Sequence, residues 1–238
     1  MKNIICITVL LGSGTLVNAQ VKEGTLTFEQ KIDLYRRIPE EDEQMKAMLP
    51  HYRSNTFMLT FGDGQSIYKM KEAEPDVNET HGGGVVLKFG SPNTEYYRNF
   101  TTHVEVDKKE LAEKDYIVQD SLHSIPWKLI DESKVILGFN CKKAIGKTER
   151  GNDVEAWYTE EIPVFSGPEI FSSLPGMILL VDINKGEFVY TATHLNKTPD
   201  KKDLKAPNKG KKVSSAEFNK LQKEILGDQS GPMKIIRN

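Results

Sequence analysis

Apolar and polar residues alternate along much of the chain. In 25–35, Leu26, Phe28, Ile32 and Leu34 share one side, and Thr25, Thr27, Glu29, Lys31 and Asp33 share the other. Strand side chains repeat every two residues, so this period predicts a strand buried on one face and wetted on the other. The segment 56–61 repeats the pattern. Gly62-Asp63-Gly64 then turns the chain into a second run, which is a hairpin signal. Further strands are predicted at 85–89, 95–100, 102–106, 116–120, 127–131, 134–137, 141–147, 154–159, 177–183 and 187–195. Short strands separated by turn residues predict a mainly β fold. The expected form is a curved antiparallel sheet, half-barrel-like, with one short helix in the N-terminal half and one C-terminal helix packed on it.

The first helix is expected over 39–50, with Pro39 and acids at its start, Met45, Met48 and Leu49 on an apolar side, and Pro50 as its stop. The second is expected over 214–226. Ser214 and Glu217 have capping-box spacing, Phe218, Leu221 and Ile225 form a stripe, and Gly227 closes the end. A helix this short is marginal alone, so the stripe must dock, with the sheet as its obvious platform. Between the last strand and this helix, 196–212 is rich in lysine with two prolines, and reads as a mobile loop.

The opening residues break the pattern. Lys2 is followed by the apolar run 4–11 and by Val17-Asn18-Ala19, a small-residue cleavage site, so 1–19 reads as a secretory signal peptide. No later run is long enough to cross a membrane as a helix. The expected product is residues 20–238, a single β-rich domain that is exported to the periplasm or secreted. A net charge of −2 with both signs mixed lacks the basic stripe of a nucleic-acid binder. Leader removal leaves Cys141 as a lone thiol, expected to be buried in the core.

Candidate chemistry is sparse. His81-Gly82-Gly83-Gly84 has the form of an esterase oxyanion loop, but no G-x-S-x-G elbow accompanies it. The five histidines show no metal-ligand spacing. Glu160-Glu161 and Asp131-Glu132 are adjacent acids. Neighbours on a strand point to opposite faces, so neither pair can flank one substrate bond. No cofactor is expected. Asn78-Glu79-Thr80 and Asn196-Lys197-Thr198 fit glycosylation sequons.

From Trp127 onward the chain becomes dense in unusual residues: Trp127, Gly138-Phe139-x-Cys141, Lys143-Ala144, Ala156-Trp157-Tyr158-Thr159, Ile162-Pro163, Gly167-Pro168, Phe171 and Leu174-Pro175-Gly176. In these features the chain resembles the GLPGLI family of exported proteins of Bacteroidetes-type bacteria. The resemblance implies export and an all-β fold, and no activity. The chain departs from that pattern at Phe139, Ser173 and Met177. Ser173 replaces a glycine, which suggests a backbone position free of positive φ.

Pro168 and Pro175 fix φ, and Gly167 and Gly176 permit sharp bends, so 167–176 is expected to be an ordered crossover. Phe165, Ile170, Phe171 and Leu174 should pin it, leading into a strand buried on both faces at 177–183. One reading makes the crossover a clasp over the core. The other makes it the lip of an apolar cavity lined by Trp127, Trp157, Tyr158, Phe171, Leu174, Pro175, Gly176 and Met177. In that second reading an exported, non-enzymatic protein binds an amphiphilic small molecule or an outer-membrane partner. The alternatives are a hydrolase or thiol enzyme using Cys141 with a cross-strand histidine, and an interaction protein displaying the hairpins near Asp63 or His81.

Overall fold

The computed structural model describes residues 20–71 and 94–226. The expected leader, the expected strand at 85–89, the His81 glycine run and the Asn78 sequon lie outside the described residues. The fold is mainly β, and the described residues form one open sheet of twelve strands with two α-helices. In chain order the strands are β1 (Gly24–Asp33), β2 (Tyr52–Gly62), β3 (Gln65–Met70), β4 (Glu95–Asn99), β5 (Val104–Leu111), β6 (Lys114–Ser121), β7 (Lys128–Ile136), β8 (Phe139–Lys147), β9 (Asp153–Thr159), β10 (Met177–Ile183), β11 (Phe188–Asn196) and β12 (Lys211–Val213). Their spatial order is β12-β6-β5-β4-β3-β2-β1-β11-β10-β9-β8-β7. Every pairing is antiparallel except that of β12 with β6.

Register carries the alternation across the sheet. Leu26, Leu59, Tyr68, Tyr96 and Asp107 stand in one row from β1 to β5. Gln30, Tyr190, Val181, Ala156 and Ala144 stand in another, from β1 through β11, β10 and β9 to β8. Both rows face the same side, because Leu26 and Gln30 are an even number of residues apart. The segment between β9 and β10 lies over this side as a strap, and its Phe171, Leu174 and Ile162 join the main buried cluster with Phe28, Leu59 and Ile178.

The helices α1 (Glu43–Met48) and α2 (Ser215–Leu226) differ in role. No residue of α1 is buried, so the apolar side expected there is not used against the sheet. It is shorter than 39–50, because Asp42 rather than Pro39 caps it, accepting from the Met45 N–H at 3.0 Å. α2 has the expected capping box. The Glu217 N–H donates to Ser214 Oγ at 3.2 Å, and the Ser214 N–H donates to Glu217 Oε2 at 2.8 Å. Phe218 meets Tyr116 edge-on at 5.6 Å and joins Leu111 and Val118 in a second buried cluster on the strap side. Ile225, expected in the same stripe, is exposed.

Two expected strands, 127–131 and 134–137, are one strand with a bulge between Ile130 and Ser133, which breaks the period of two. The Lys-rich segment 196–212 makes defined contacts. Leu204 packs on Ile67, Tyr97, Val106 and Ile117 on the side away from the strap. Lys69 pairs with Asp203 at 3.2 Å, and β12 follows at the sheet's edge.

Candidate functional site

The strap is held by its backbone. The N–H groups of Met177 and Ile178 donate to the carbonyls of Ile162 (3.0 Å) and Ser166 (2.9 Å), and the Ser173 N–H donates to Phe165 (2.9 Å). Gly176 approaches β9 so closely that a Cβ there would stand 2.0 Å from the Thr159 carbonyl oxygen. Gly167 is also tight, its virtual Cβ 2.7 Å from the Phe171 carbonyl oxygen. Ser173 overturns its expectation. Its φ is +70°, in the region glycine favours, so this position does demand positive φ and serine is strained there.

The eight residues expected to line one cavity do not come together around one. Tyr158, Phe171, Leu174 and Met177 are each 2% exposed or less, and they pack into the core with no solvent face. Gly176 is buried at the turn, and Pro175 is exposed. Trp127 lies over Gly146 on the strap side, and its Nε1–H donates to the Ser172 carbonyl at 2.9 Å. Trp157 pairs with Leu180 in the row next to Ala156 and Val181, so it faces away from the strap. There Lys134 Nζ sits 4.0 Å above its ring, and its Nε1–H donates to Glu155 Oε1 at 2.7 Å. Phe165 and Ile170, expected as pins, are 50% and 44% exposed. The clasp reading accounts for this packing.

Cys141 is fully buried, and desolvation pushes its thiol up to about 11. A nucleophilic cysteine needs the opposite shift. Iodoacetamide labelling of the folded protein at pH 7.5 is therefore expected to be at least tenfold slower than in denaturant; equal rates would restore the thiol-enzyme reading. The paired acids are structural. Glu160 pairs with Lys142 at 2.8 Å, Glu161 Oε1 accepts the Asn140 N–H, and Glu132 pairs with Lys143 at 3.0 Å.

An open cleft does exist, at the outer shoulder of the strap. Its volume is about 590 Å³. Four chain segments meet there. The β2–β3 turn supplies Asp63 and Gly64, both with positive φ as a primed hairpin turn needs. The turn after β4 supplies Phe100 and Thr101, and the Phe100 N–H donates to the Gly64 carbonyl at 2.9 Å. The strap's entry supplies Pro163, Val164 and Phe165, while Lys22 and Glu23 precede β1. The Val21 N–H donates to the Glu161 carbonyl at 3.1 Å, which fixes that end against the strap. Its lining is thus mixed, with Phe100, Pro163, Val164 and Phe165 beside the charged Lys22, Glu23 and Asp63. Lys201 Nζ reaches Glu23 at 2.6 Å and Asp63 at 3.4 Å, anchoring the 196–212 segment beside the cleft. Of these residues Pro163, Phe165 and the Asp63 hairpin stand out in the sequence.

Among the described residues no group of three or more His, Cys, Asp and Glu side chains is placed to hold a metal ion, and no helix is long and apolar enough to cross a membrane.

Residues 91–221 match the family model described as "N-glycanase peptide, N-terminal domain". No curated protein matches the chain. Among solved structures, PNGF-II in a C2 crystal form is 17% identical with a TM-score of 0.57, covering 84% of this chain and 32% of its own. PNGF-II in a P21 form is 17% identical with a TM-score of 0.56, covering 84% and 33%. An uncharacterized conserved protein from Thermus thermophilus is 8% identical with a TM-score of 0.40, covering 82% and 91%. The chain therefore spans about a third of the length of the PNGF-II structures, and at this identity their likeness is one of fold.

Proposed function

Since the chain belongs to the family of the N-glycanase peptide N-terminal domain, we propose that it is an exported accessory module that holds a glycan-bearing partner at the cell envelope. The observation that carries this reading is the cleft beside Phe165, lined by Phe100, Pro163, Val164 and Phe165 together with Lys22, Glu23 and Asp63. Binding sites combine apolar walls with a few placed polar groups. A sugar ring is amphiphilic in just this sense, with apolar C–H faces and polar hydroxyls. We read the expected amphiphilic ligand as a glycan held on the strap's outer shoulder rather than beneath the strap, where Phe171, Leu174 and Met177 are buried. The leader-like residues 1–19 and the GLPGLI-like features support export, and those features lie within the matched residues 91–221.

The test is calorimetric titration of residues 20–238 with released N-glycans and with a glycopeptide. Saturable binding is expected, weakened about tenfold or more by Phe165→Ala, which corresponds to about 1.4 kcal/mol, and also by Asp63→Asn. Wild-type protein that binds neither ligand, or variants that bind equally well, would remove the reading. Co-purifying lipid with saturable fatty-acid binding would replace it with the lipid-carrier version.

A further inference from the structure

After β11 the chain runs from the rim of the cleft to β6, across the face of the sheet away from the strap. Lys201 holds Glu23 at 2.6 Å and Asp63 at 3.4 Å beside the β2–β3 turn. In the short 3-10 turn that follows, the Asp200 carboxylate accepts the Lys202 N–H at 3.0 Å. Asp203 pairs with Lys69 of β3 at 3.2 Å, and Leu204 packs on Ile67, Tyr97, Val106 and Ile117. Gly210 comes so close to the start of β6 that a Cβ there would stand 2.8 Å from the Asp115 carbonyl oxygen. Lys211–Val213 then pairs with β6 as β12. These ties fix a segment whose composition alone suggests mobility, and they leave its lysines in solvent. Residues 196–212 contain seven lysines and two aspartates, and all seven lysines are exposed. Both aspartates are taken up by the ties just named, and Asp115 beneath Gly210 pairs with Lys108 at 3.2 Å. Lys202, Lys205, Lys209 and Lys212 make no ion pair among the described residues.

We propose that this segment is a docking ridge for a bilayer: its lysines seat the domain on a surface of anionic phospholipid headgroups. Charge complementarity is the first ground. The whole chain carries −2, so the residues outside this strongly basic segment are acidic in sum. A negative surface attracts the ridge and repels the remainder, which selects one orientation of approach. The kind of basic residue is the second ground. Every cation in 196–212 is a lysine, a point charge on a flexible stem. Arginine, whose planar fork suits bidentate recognition, is absent from the segment, and so is any aromatic ring on which a base could stack. A diffuse layer of phosphate charge needs neither. Clusters of lysine held near such a layer gain affinity roughly in proportion to their number. Order is the third ground. A segment already pinned at Lys201, Asp203, Leu204 and β12 loses little freedom when it meets the surface. The ridge is separate from the glycan reading of the cleft, and either can fail without the other.

Co-sedimentation of residues 20–238 with vesicles tests this, using phosphatidylcholine alone and phosphatidylcholine with one third phosphatidylglycerol. Binding is expected only to the anionic vesicles at about 0.1 M salt, and is expected to vanish at about 1 M, where charges are screened within a few ångströms. Replacing Lys202, Lys205, Lys209 and Lys212 together by Gln should weaken partitioning by about tenfold or more. The same replacement at Lys128, Lys142, Lys147 and Lys185, exposed lysines on β7, β8 and the turn after β10, changes net charge equally and should leave partitioning near wild type. No binding to anionic vesicles, equal binding to neutral ones, or equal losses in the two variants would overturn the proposal. Tighter binding to heparin or to duplex DNA than to the vesicles at the same salt would also overturn it, in favour of that polyanion. Should the ridge variant fail to fold, hydrogen exchange of the unaltered protein decides. Anionic vesicles should then protect peptides within 199–213 and leave β7 peptides unchanged, and equal protection of both would sink the ridge.

Discussion

Gly176→Ala is expected to prevent stable folding. The new Cβ would lie 2.0 Å from the Thr159 carbonyl oxygen, 2.6 Å from its carbon and 3.0 Å from the Glu160 nitrogen. All three are backbone atoms at the end of β9, so no flexible side chain can swing aside. The φ of +150° adds strain for any L-residue. Either the strap lifts or β9 and β10 separate, and Met177, Ile178 and Leu179, all fully buried, would lose their packing. Burying each such side chain is worth about 1.5–3 kcal/mol. A domain's whole stability is about 5–15 kcal/mol. Gly138→Ala is the control. Its φ is +82° but nothing lies within 4 Å, so only the backbone penalty of about 1–2 kcal/mol applies. Thermal melts of both variants check this. If Gly176→Ala melts with Gly138→Ala, the close approach of the strap to β9 is wrong.

Phe171→Ala is expected to cost about 3–5 kcal/mol, the range for truncating a buried aromatic ring. Phe171 is 2% exposed and meets the Tyr190 ring at 6.3 Å. Its neighbours are held by main-chain bonds on both sides, so the site cannot collapse freely. In a domain of this size, a loss of about 1 kcal/mol lowers the melting temperature by about 2–4 °C, so the drop should be about 6–20 °C. Urea unfolding of the variant beside Ile170→Ala, which truncates an exposed residue of the same strap, provides the comparison. Equal midpoints would mean that the strap lies loose on the sheet rather than being part of the core.

The strands are legible where one face is wet. Leu26, Phe28 and Ile32 announce β1 because their polar neighbours stay in water. β12 is not legible. It is three residues, Lys211-Lys212-Val213, joined to β6 by main-chain pairing that leaves no side-chain period. The two-face burial of β10 is visible in its unbroken apolar run, and the strap that covers it is visible in its prolines and glycines. The eight residues expected beneath it line no common cavity among the described residues, and the chain carries the warning. Trp157 and Tyr158 are adjacent on a strand and cannot face one space. The cleft itself joins Lys22, Asp63, Phe100 and Phe165 through turns far apart in the chain, and periodicity says nothing about which turns meet. Glu169 and Gln30 are likewise brought together by the strap across most of the domain.

An open sheet has two margins, and here both are poor templates. On one side β12 offers three residues, two of them lysine; on the other, β7 is bent by its bulge, with Asp131 and Glu132 in the interruption. Long flat margins invite copies of a chain to zip together into fibrils, and short, charged or kinked ones discourage it. Edges of this kind therefore oppose strand-by-strand pairing between copies of the chain.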